Sequence, residues 1–534
     1  MTPSAAGAAR TRRAAALDRL ASHTFDLLVV GGGATGAATV RDAALRGLDV
    51  ALVDAGDFAS GTSSASSKLI HGGLRYLQYG DLHLVFEGLT ERANLMRIAP
   101  HLCRPVEFLF PGYRGERPGL ASLGAGIALY NALARWRPPA ASRRLNADEL
   151  GELVPHLRRE GLRGARGYVD CQTDDARLVL EHVLDAAAAG ATIANHVRAG
   201  TLLRDRRGQV HGIALLDTET GVRFEARAEV VVIAAGPFTD DVATGAGARM
   251  PRLRPTLGVH LVFDAARLPH GGRVLVLRSP RDNRLFFVMP AGARTIVGTT
   301  DTDWKPDGQP PRPPRLDDVI RAHGSDVDYL LEAVRHGFPS LALGPDDVVS
   351  TYAGLRPLLA TDANTPSETS REHDILRGPG GLLTVVGGKL TTLRRMGEQI
   401  VDAVITKLHA AGYERPLAPC STSTVELPGG GRADDVAALA ASDPSLGDRL
   451  VPDLRYAWAE VVLAVRHEQA REVADVLCRR IPIFREANDQ GLAVADRTAA
   501  ILAAELGWDD ARRQRSIEHY RAAVQTSRAW RNEI

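Results

Sequence analysis

Lysine is almost missing from this 534-residue chain: of its 65 basic residues only Lys68, Lys305, Lys389 and Lys407 are lysines. In a sequence this rich in Ala, Arg, Pro and Gly, a surviving lysine marks either a crowded place that suits a compact ammonium better than a planar fork, or an unselected surface position. Cysteine is scarce too. Cys103, Cys171, Cys420 and Cys478 lie far apart with no C-x-x-C pair, which argues against a disulfide framework, a zinc ribbon or a redox dithiol and fits a reducing cytoplasm; no metal site is expected. Neither charge sign dominates: 65 basic against 64 acidic residues leave a net charge of +1, so no general field draws nucleic acid to the chain. Long apolar runs are absent as well. The stretch from Leu120 to Ala134 is broken by Gly and Asn and falls short of the roughly 20 residues that span a bilayer. The first 23 residues lack the apolar core of a secretory signal and read as a loose arm leading into a helix.

With 45% hydrophobic residues the chain can build two or three well-buried domains. Phe25–Val30 is a short apolar run without polar alternation, as for a central strand of a parallel sheet, and it leads directly into Gly31-x-Gly33-x-x-Gly36. A helix is expected over Ala37–Arg46, then a strand over Leu48–Val53 ending in Asp54. Gly31 permits the tight turn, Gly33 lets backbone approach a pyrophosphate, and Gly36 lets helix and strand pack closely. The amino end of the helix then offers its positive dipole end to the phosphates. Asp54, 23 residues after Gly31, suits an unphosphorylated ribose, which holds for NAD and FAD alike.

Beyond Asp54 the chain enters a long hydroxyl-rich loop, Gly56–Ser67, instead of another crossover, and then Lys68-Leu-Ile-His-Gly-Gly-Leu-Arg-Tyr76. Thr62, Ser63, Ser66 and Ser67 can donate to pyrophosphate and ribityl oxygens, and Gly72 and Gly73 leave room for a flat ring. Here the sequence resembles the FAD-dependent, respiratory glycerol-3-phosphate dehydrogenases of the D-amino-acid-oxidase-like flavoprotein superfamily. The motifs are Thr62–Leu77, Glu91-Arg92 with Ala99–Leu102, Asp174–Leu178, Ala234–Pro237, Gly258–His260, Gly298–Asp301, Gly354–Leu358 and Gly387–Thr392. Four positions depart from the family pattern: Asp54 replaces a commoner glutamate, Phe238 a tryptophan, Ala235 a threonine and Leu257 a lysine.

The resemblance implies a cofactor, FAD, and oxidation of glycerol 3-phosphate to dihydroxyacetone phosphate, with electrons passing to quinone on the cytoplasmic membrane face. It extends the flavin contacts to Ser64, Lys68, Leu74, Val197, Ala235, Gly236, Gly387, Gly388, Lys389, Leu390 and Thr391. Gly387-Gly388 opens a helix running towards Ile405, whose amino end, with Lys389, would stabilise charge at the flavin N1 and C2 carbonyl. Arg356 and Arg371 are the candidate phosphate clamp, with Arg75 and Tyr76 as further donors. His71 and His260 are equal candidates for the base that takes the alcohol proton.

The expected fold is α/β: a Rossmann-like FAD-binding domain (about 24–80, 165–245 and 345–408) interleaved with an antiparallel-sheet substrate domain (about 81–164 and 246–344). The Pro/Gly-rich stretch 411–431 reads as a linker to an all-α C-terminal domain, 432–534, with a packing or dimer role. Leu120–Arg144, apolar and then studded with Arg135, Arg137, Arg143 and Arg144, suits either docking on anionic lipid or an ordinary partly buried helix. Rival readings are reduction of O2 to peroxide, oxidation of an amino or hydroxy acid, and a flavin held only for structure.

Overall fold

A strand that is apolar on both faces needs helices on both sides, and Thr24–Val30 is placed accordingly. In the computed structural model, which describes residues 5–74, 77, 80–134, 141–248, 253–309, 312–359 and 373–534, it pairs in parallel with Val50–Val53 and Arg223–Ile233. Thr192–Ala194 and Leu383–Gly387 extend the parallel sheet on either side, and His373–Arg377 closes one edge antiparallel. Helices Ala34–Leu45, Asp175–Ala188 and Leu393–Ala410 share a core with Leu27, Val29, Val50, Leu52, Val230 and Val232. The first helix begins three residues earlier than the sequence pattern suggests, because Gly33, in extended conformation, already serves as its cap.

The second sheet has ten strands. All its pairings are antiparallel except that of Val274–Arg278 with Arg104–Tyr113. Its middle is the hairpin Leu285–Ala291 and Arg294–Gly298, where β-branched and aromatic residues predicted strands. Thr256–Asp264 lies between Arg294–Gly298 and Val348–Arg356, in a register that sets His260 opposite Tyr352 and Gly258 opposite Gly354. Leu69–Ile70 pairs with Leu162–Gln172 at the far edge. The segment after Asp54 therefore leaves one sheet and ends in the other, crossing the space between them.

Helices Arg432–Ser442, Trp458–Arg466, Ala495–Leu506 and Asp510–Arg528 form most of the C-terminal unit. Residues 5–22 are one helix and not a loose arm: Ala9 is buried in the C-terminal core, Leu20 in the core of the parallel sheet, and Arg13 pairs with Asp217. The Pro/Gly-rich stretch is likewise tied down, since Arg41 donates to Val425 O at 2.8 Å and Leu427 N to Ile98 O at 2.7 Å. Below the loop that follows Asp54, Asp57 accepts from Arg479 Nε and Arg480 Nη1 at 2.6 Å each, from Arg480 Nη2 at 2.8 Å and from Asn195 at 2.9 Å. His196 meets Asp475 at 3.0 Å in the same cluster. The two arginines hold the Asp57 carboxyl well below its ordinary range despite its burial.

The helix Leu120–Leu133 buries Leu123, Ile127 and Tyr130 and leaves Leu129 exposed. Arg143 and Arg144 are exposed on the strand Ser142–Leu145. Arg135 and Arg137 lie outside the described residues.

Candidate active site

The glycine turn forms one wall of a cavity of about 550 Å³. Gly31 has φ +109°, and a Cβ there would lie 2.5 Å from Ala234 O; one on Gly36 would lie 1.8 Å from Gly31 O. No other residue fits either place. The amino end of the helix Ala34–Leu45 faces the cavity, with Ala34 N donating to Ser63 Oγ at 2.9 Å. Asp54 accepts from Gly32 N at 2.6 Å and Gly56 N at 2.8 Å, and burial raises its carboxyl above the usual range. Thr62, Ser63, Ser66, Ala235, Gly236, Gly387, Gly388, Lys389 and Leu390 complete much of the lining. Arg198, Ala199, Leu316, Asp318 and Ile320 also line it.

A second cavity, of about 200 Å³, shares Thr62, Ser66, Gly354, Pro357 and Gly387–Leu390 with the first. His71, Gly72, Leu84, Gly88, Gly258, His260, Arg356 and Thr391 line it, with Ser67. Arg356 is aimed by its partners: Nη1 donates to Asp301 at 2.9 Å and Thr256 Oγ1 at 3.4 Å, and Nη2 to Thr299 Oγ1 at 2.9 Å and Thr300 O at 3.0 Å. A Cβ on Gly258 would stand 2.5 Å from Nη2, so the glycine makes room for the guanidinium. Leu257, next to it, is buried in the core beneath the second sheet.

His260 is 2% exposed, stacks on Tyr352 with ring centroids 4.6 Å apart, and meets Ser67 Oγ through Nε2 at 2.9 Å. Its Nδ1 is buried with no hydrogen-bond partner among the described residues. Burial, then the charges of Arg356, Lys68 and Arg485, push its pKa well below the ordinary histidine value. The half-buried His71 is held by its backbone, its N donating to Thr391 Oγ1 at 3.2 Å.

Several sequence candidates sit beside these cavities and not in their walls. Lys68, at φ +57°, turns its ammonium under the loop to pair with Asp175 and reach Ser64 O at 3.2 Å, and Ser64 also lines neither cavity. Burial lowers the Lys68 pKa. A lysine persists here because the slot is closed. Val197 points into the sheet core, giving only its N–H to Asp54 O at 2.7 Å, while the next two residues reach the cavity. Gly36 and Gly73 are buried supports, and Leu74 packs on an apolar cluster. Arg75, Tyr76 and Arg371 lie outside the described residues.

The sequence reading missed Asp175, which accepts from both Ser66 N and Ser66 Oγ, at 3.0 and 2.7 Å. It also missed Asp301, Tyr352 and the half-buried Arg485 of the C-terminal unit, 3.8 Å from Asp174. Asp175 and Asp301 stood inside noticed motifs; Tyr352 and Arg485 gave no local signal.

The family model described as FAD dependent oxidoreductase matches residues 26–400, and that of the C-terminal domain of alpha-glycerophosphate oxidase matches residues 429–513. A protein of Staphylococcus aureus (strain USA300) named aerobic glycerol-3-phosphate dehydrogenase is 38% identical over 412 residues, covering 77% of this chain and 72% of that protein. The crystal structure of the glycerol-3-phosphate dehydrogenase from Bacillus halodurans complexed with FAD superposes with a TM-score of 0.75 at 28% identity, covering 97% of each chain. The L-alpha-glycerophosphate oxidase from Mycoplasma pneumoniae shares the fold, with a TM-score of 0.56 at 18% identity over 76% of this chain and 99% of that one.

Proposed function

We infer the reaction from the family to which this chain belongs, the FAD-dependent oxidoreductases, in their aerobic glycerol-3-phosphate dehydrogenase branch. The chain is an FAD enzyme that oxidises sn-glycerol 3-phosphate to dihydroxyacetone phosphate. The observation that carries the chemistry is an arginine, Arg356, facing a small cavity that shares a wall with the dinucleotide cavity.

The larger cavity suits FAD: its glycine turn has no room for a Cβ at Gly31 or Gly36, a helix end faces it, and the half-buried Asp54 carboxylate stands where ribose hydroxyls would lie. Gly31, Gly33, Asp54, Thr62, Ser63, Ser66, Ala235 and Gly236 would hold the ADP and ribityl portions. Gly387–Leu390 would hold the flavin end. What FAD supplies when bound is an acceptor, N5, for the hydride that leaves C2 of the alcohol. Lys389 and the turn Leu390–Thr392, which leads into the helix Leu393–Ala410, favour negative charge at the shared wall.

Arg356 binds the phosphate. Its pairing with Asp301 fixes its direction, and the dianion competes with the hydroxyls of Thr256 and Thr299 for the Nη hydrogens. Arg75, Tyr76 and Arg371 are further donors in this reading. His71, half-buried in the wall of the smaller cavity, takes the hydroxyl proton, whereas the His260 ring is stacked on Tyr352 and engaged with Ser67 through Nε2. His260 instead positions Ser67.

Anaerobic mixing of the yellow protein with glycerol 3-phosphate should bleach the flavin; bleaching only by an amino or hydroxy acid would replace the substrate. The electrons go on to quinone. A second reading, transfer to O2, is favoured by the C-terminal match to the alpha-glycerophosphate oxidases, and a peroxide assay after readmitting air separates the two. We place the protein at the cytoplasmic face of the membrane. Among the described residues no helix is long and apolar enough to cross it, while Leu129, Arg143 and Arg144 are exposed for peripheral contact. Flotation with anionic liposomes tests that contact.

A further inference from the structure

Glu91 and Arg92 are consecutive on the helix Leu82–Ile98, 2% and 1% exposed, and neither reaches a cavity. Successive residues of an α-helix are rotated by about 100°, so the two side chains leave in different directions. Glu91 takes Arg394 in a bidentate pair, Oε2 to Nε and Oε1 to Nη2 at 2.7 Å each. Arg394 follows the turn Leu390–Thr392 by two residues, and that turn forms one wall of the smaller cavity. Arg92 takes the fully buried Asp170. Asp170 in turn accepts from Tyr130 OH at 2.8 Å, and the Tyr130 oxygen accepts from Gly72 N at 2.8 Å. Gly72, beside His71, belongs to the opposite wall.

The same helix also enters the cavity itself. Leu84 and Gly88 line it, and a Cβ on Gly88 would stand 3.0 Å from Gly72 Cα. The two walls meet where His71 N donates to Thr391 Oγ1 at 3.2 Å. Buried ion pairs are poor sources of stability, since apolar residues of similar size do as well. What they fix is direction, and here both directions end on a wall of one cavity.

We propose that Glu91 and Arg92 are positioning residues for substrate oxidation: Glu91 sets the Leu390–Thr392 wall through Arg394, and Arg92 sets the His71–Gly72 wall through Asp170 and Tyr130. This rests on the reaction proposed above. Misplacement of a reacting group by about 1 Å can cost 100-fold in rate, so loss of either arm should slow flavin reduction while FAD remains bound.

The test is anaerobic mixing of wild-type, Tyr130→Phe and Glu91→Gln holoenzymes with saturating glycerol 3-phosphate, following flavin absorbance, with dithionite reduction in parallel. Both variants should keep their FAD and reduce normally with dithionite, yet bleach with substrate at least about tenfold more slowly. Arg92→Lys, which keeps a cation against Asp170, should retain more of the rate than Arg92→Met. Should Glu91→Gln fail to fold, Arg394→Lys, which keeps a cation against Glu91 but cannot make the bidentate pair, decides that arm by the same readout, and Tyr130→Phe decides the other, because it removes one oxygen only. A wild-type rate in Tyr130→Phe, or loss of its FAD, overturns the inference. A wild-type enzyme that does not bleach overturns the proposed reaction and this inference with it, whereas a bleaching wild type with unaltered variants overturns the inference alone.

Discussion

The two joined cavities are built in opposite ways. The larger is lined by glycines, small hydroxyls and a helix end that lie mostly within one stretch of chain, Gly31 to Ser66, closed by Ala234–Phe238 and Gly387–Leu390. The smaller depends on groups whose direction is set by partners far away in sequence: the Arg356 guanidinium by Asp301, the His260 ring by Ser67 and Tyr352, and the Gly72 N–H by Tyr130. Backbone can hold a phosphate-rich cofactor because amides and dipoles suffice. Telling one small polyol phosphate from another takes charged groups held at fixed angles.

The harshest way to expose this contrast is Gly36→Ala. The new methyl group would stand 1.8 Å from Gly31 O, which should destabilise the protein by about 3 kcal/mol or more and leave it colourless on purification. Retained flavin absorbance and an unchanged urea midpoint would break the contrast. Arg356→Ala should do the reverse. FAD stays, but KM for glycerol 3-phosphate rises about 100-fold, from roughly 2–3 kcal/mol of lost charge-assisted bonding; steady-state kinetics on the yellow protein checks this.

Acid should loosen the cofactor half. His182, buried on the helix Asp175–Ala188, is pushed down to about 3 by burial and by Arg41. The unfolded chain binds that proton below about pH 6.5 and the folded one does not, so its contribution is complete above about 6.5 and is lost as pH falls, by about 1.4 kcal/mol per unit. Between pH 6.5 and 5 the urea-unfolding free energy of His182→Leu should fall less steeply than that of the wild type by that amount; equal slopes would remove His182 from the account. The smallest effect is expected from Phe238→Trp, which restores the residue usual in the resembled family at the edge of the larger cavity. FAD affinity should change by less than about threefold, under 1 kcal/mol, as flavin fluorescence titration would show.

The same contrast explains what could be read from the sequence. Strand, glycine turn, helix, strand and Asp54 are consecutive, and each local preference agrees with its neighbour, so the nucleotide unit was legible to within a few residues. The second sheet was legible as β-rich chain but not as an ordered set of strands, because register across ten strands is set by tertiary packing. Lys68 shows the limit most clearly. Its scarcity and its motif drew attention to it, but only the backbone turn at φ +57° sends its ammonium to Asp175 beneath the loop. Val197 is the corresponding case on a strand, where a shift of one residue decides between core and cavity. Arg485 could not have been found at all, since it arrives from a unit that carries no catalytic pattern.

The cluster of Asp57 with Arg479 and Arg480 gives the two matched families a shared fate. Cutting the gene within 411–431 would leave one product with a buried acid and the other with buried cations, each lacking its counter-charge. Fragments made apart should be poorly soluble alone and should recombine into one flavin-binding particle when expressed together. A chain without the helical unit would need another counter-charge for Asp57 in the loop beside Asp54.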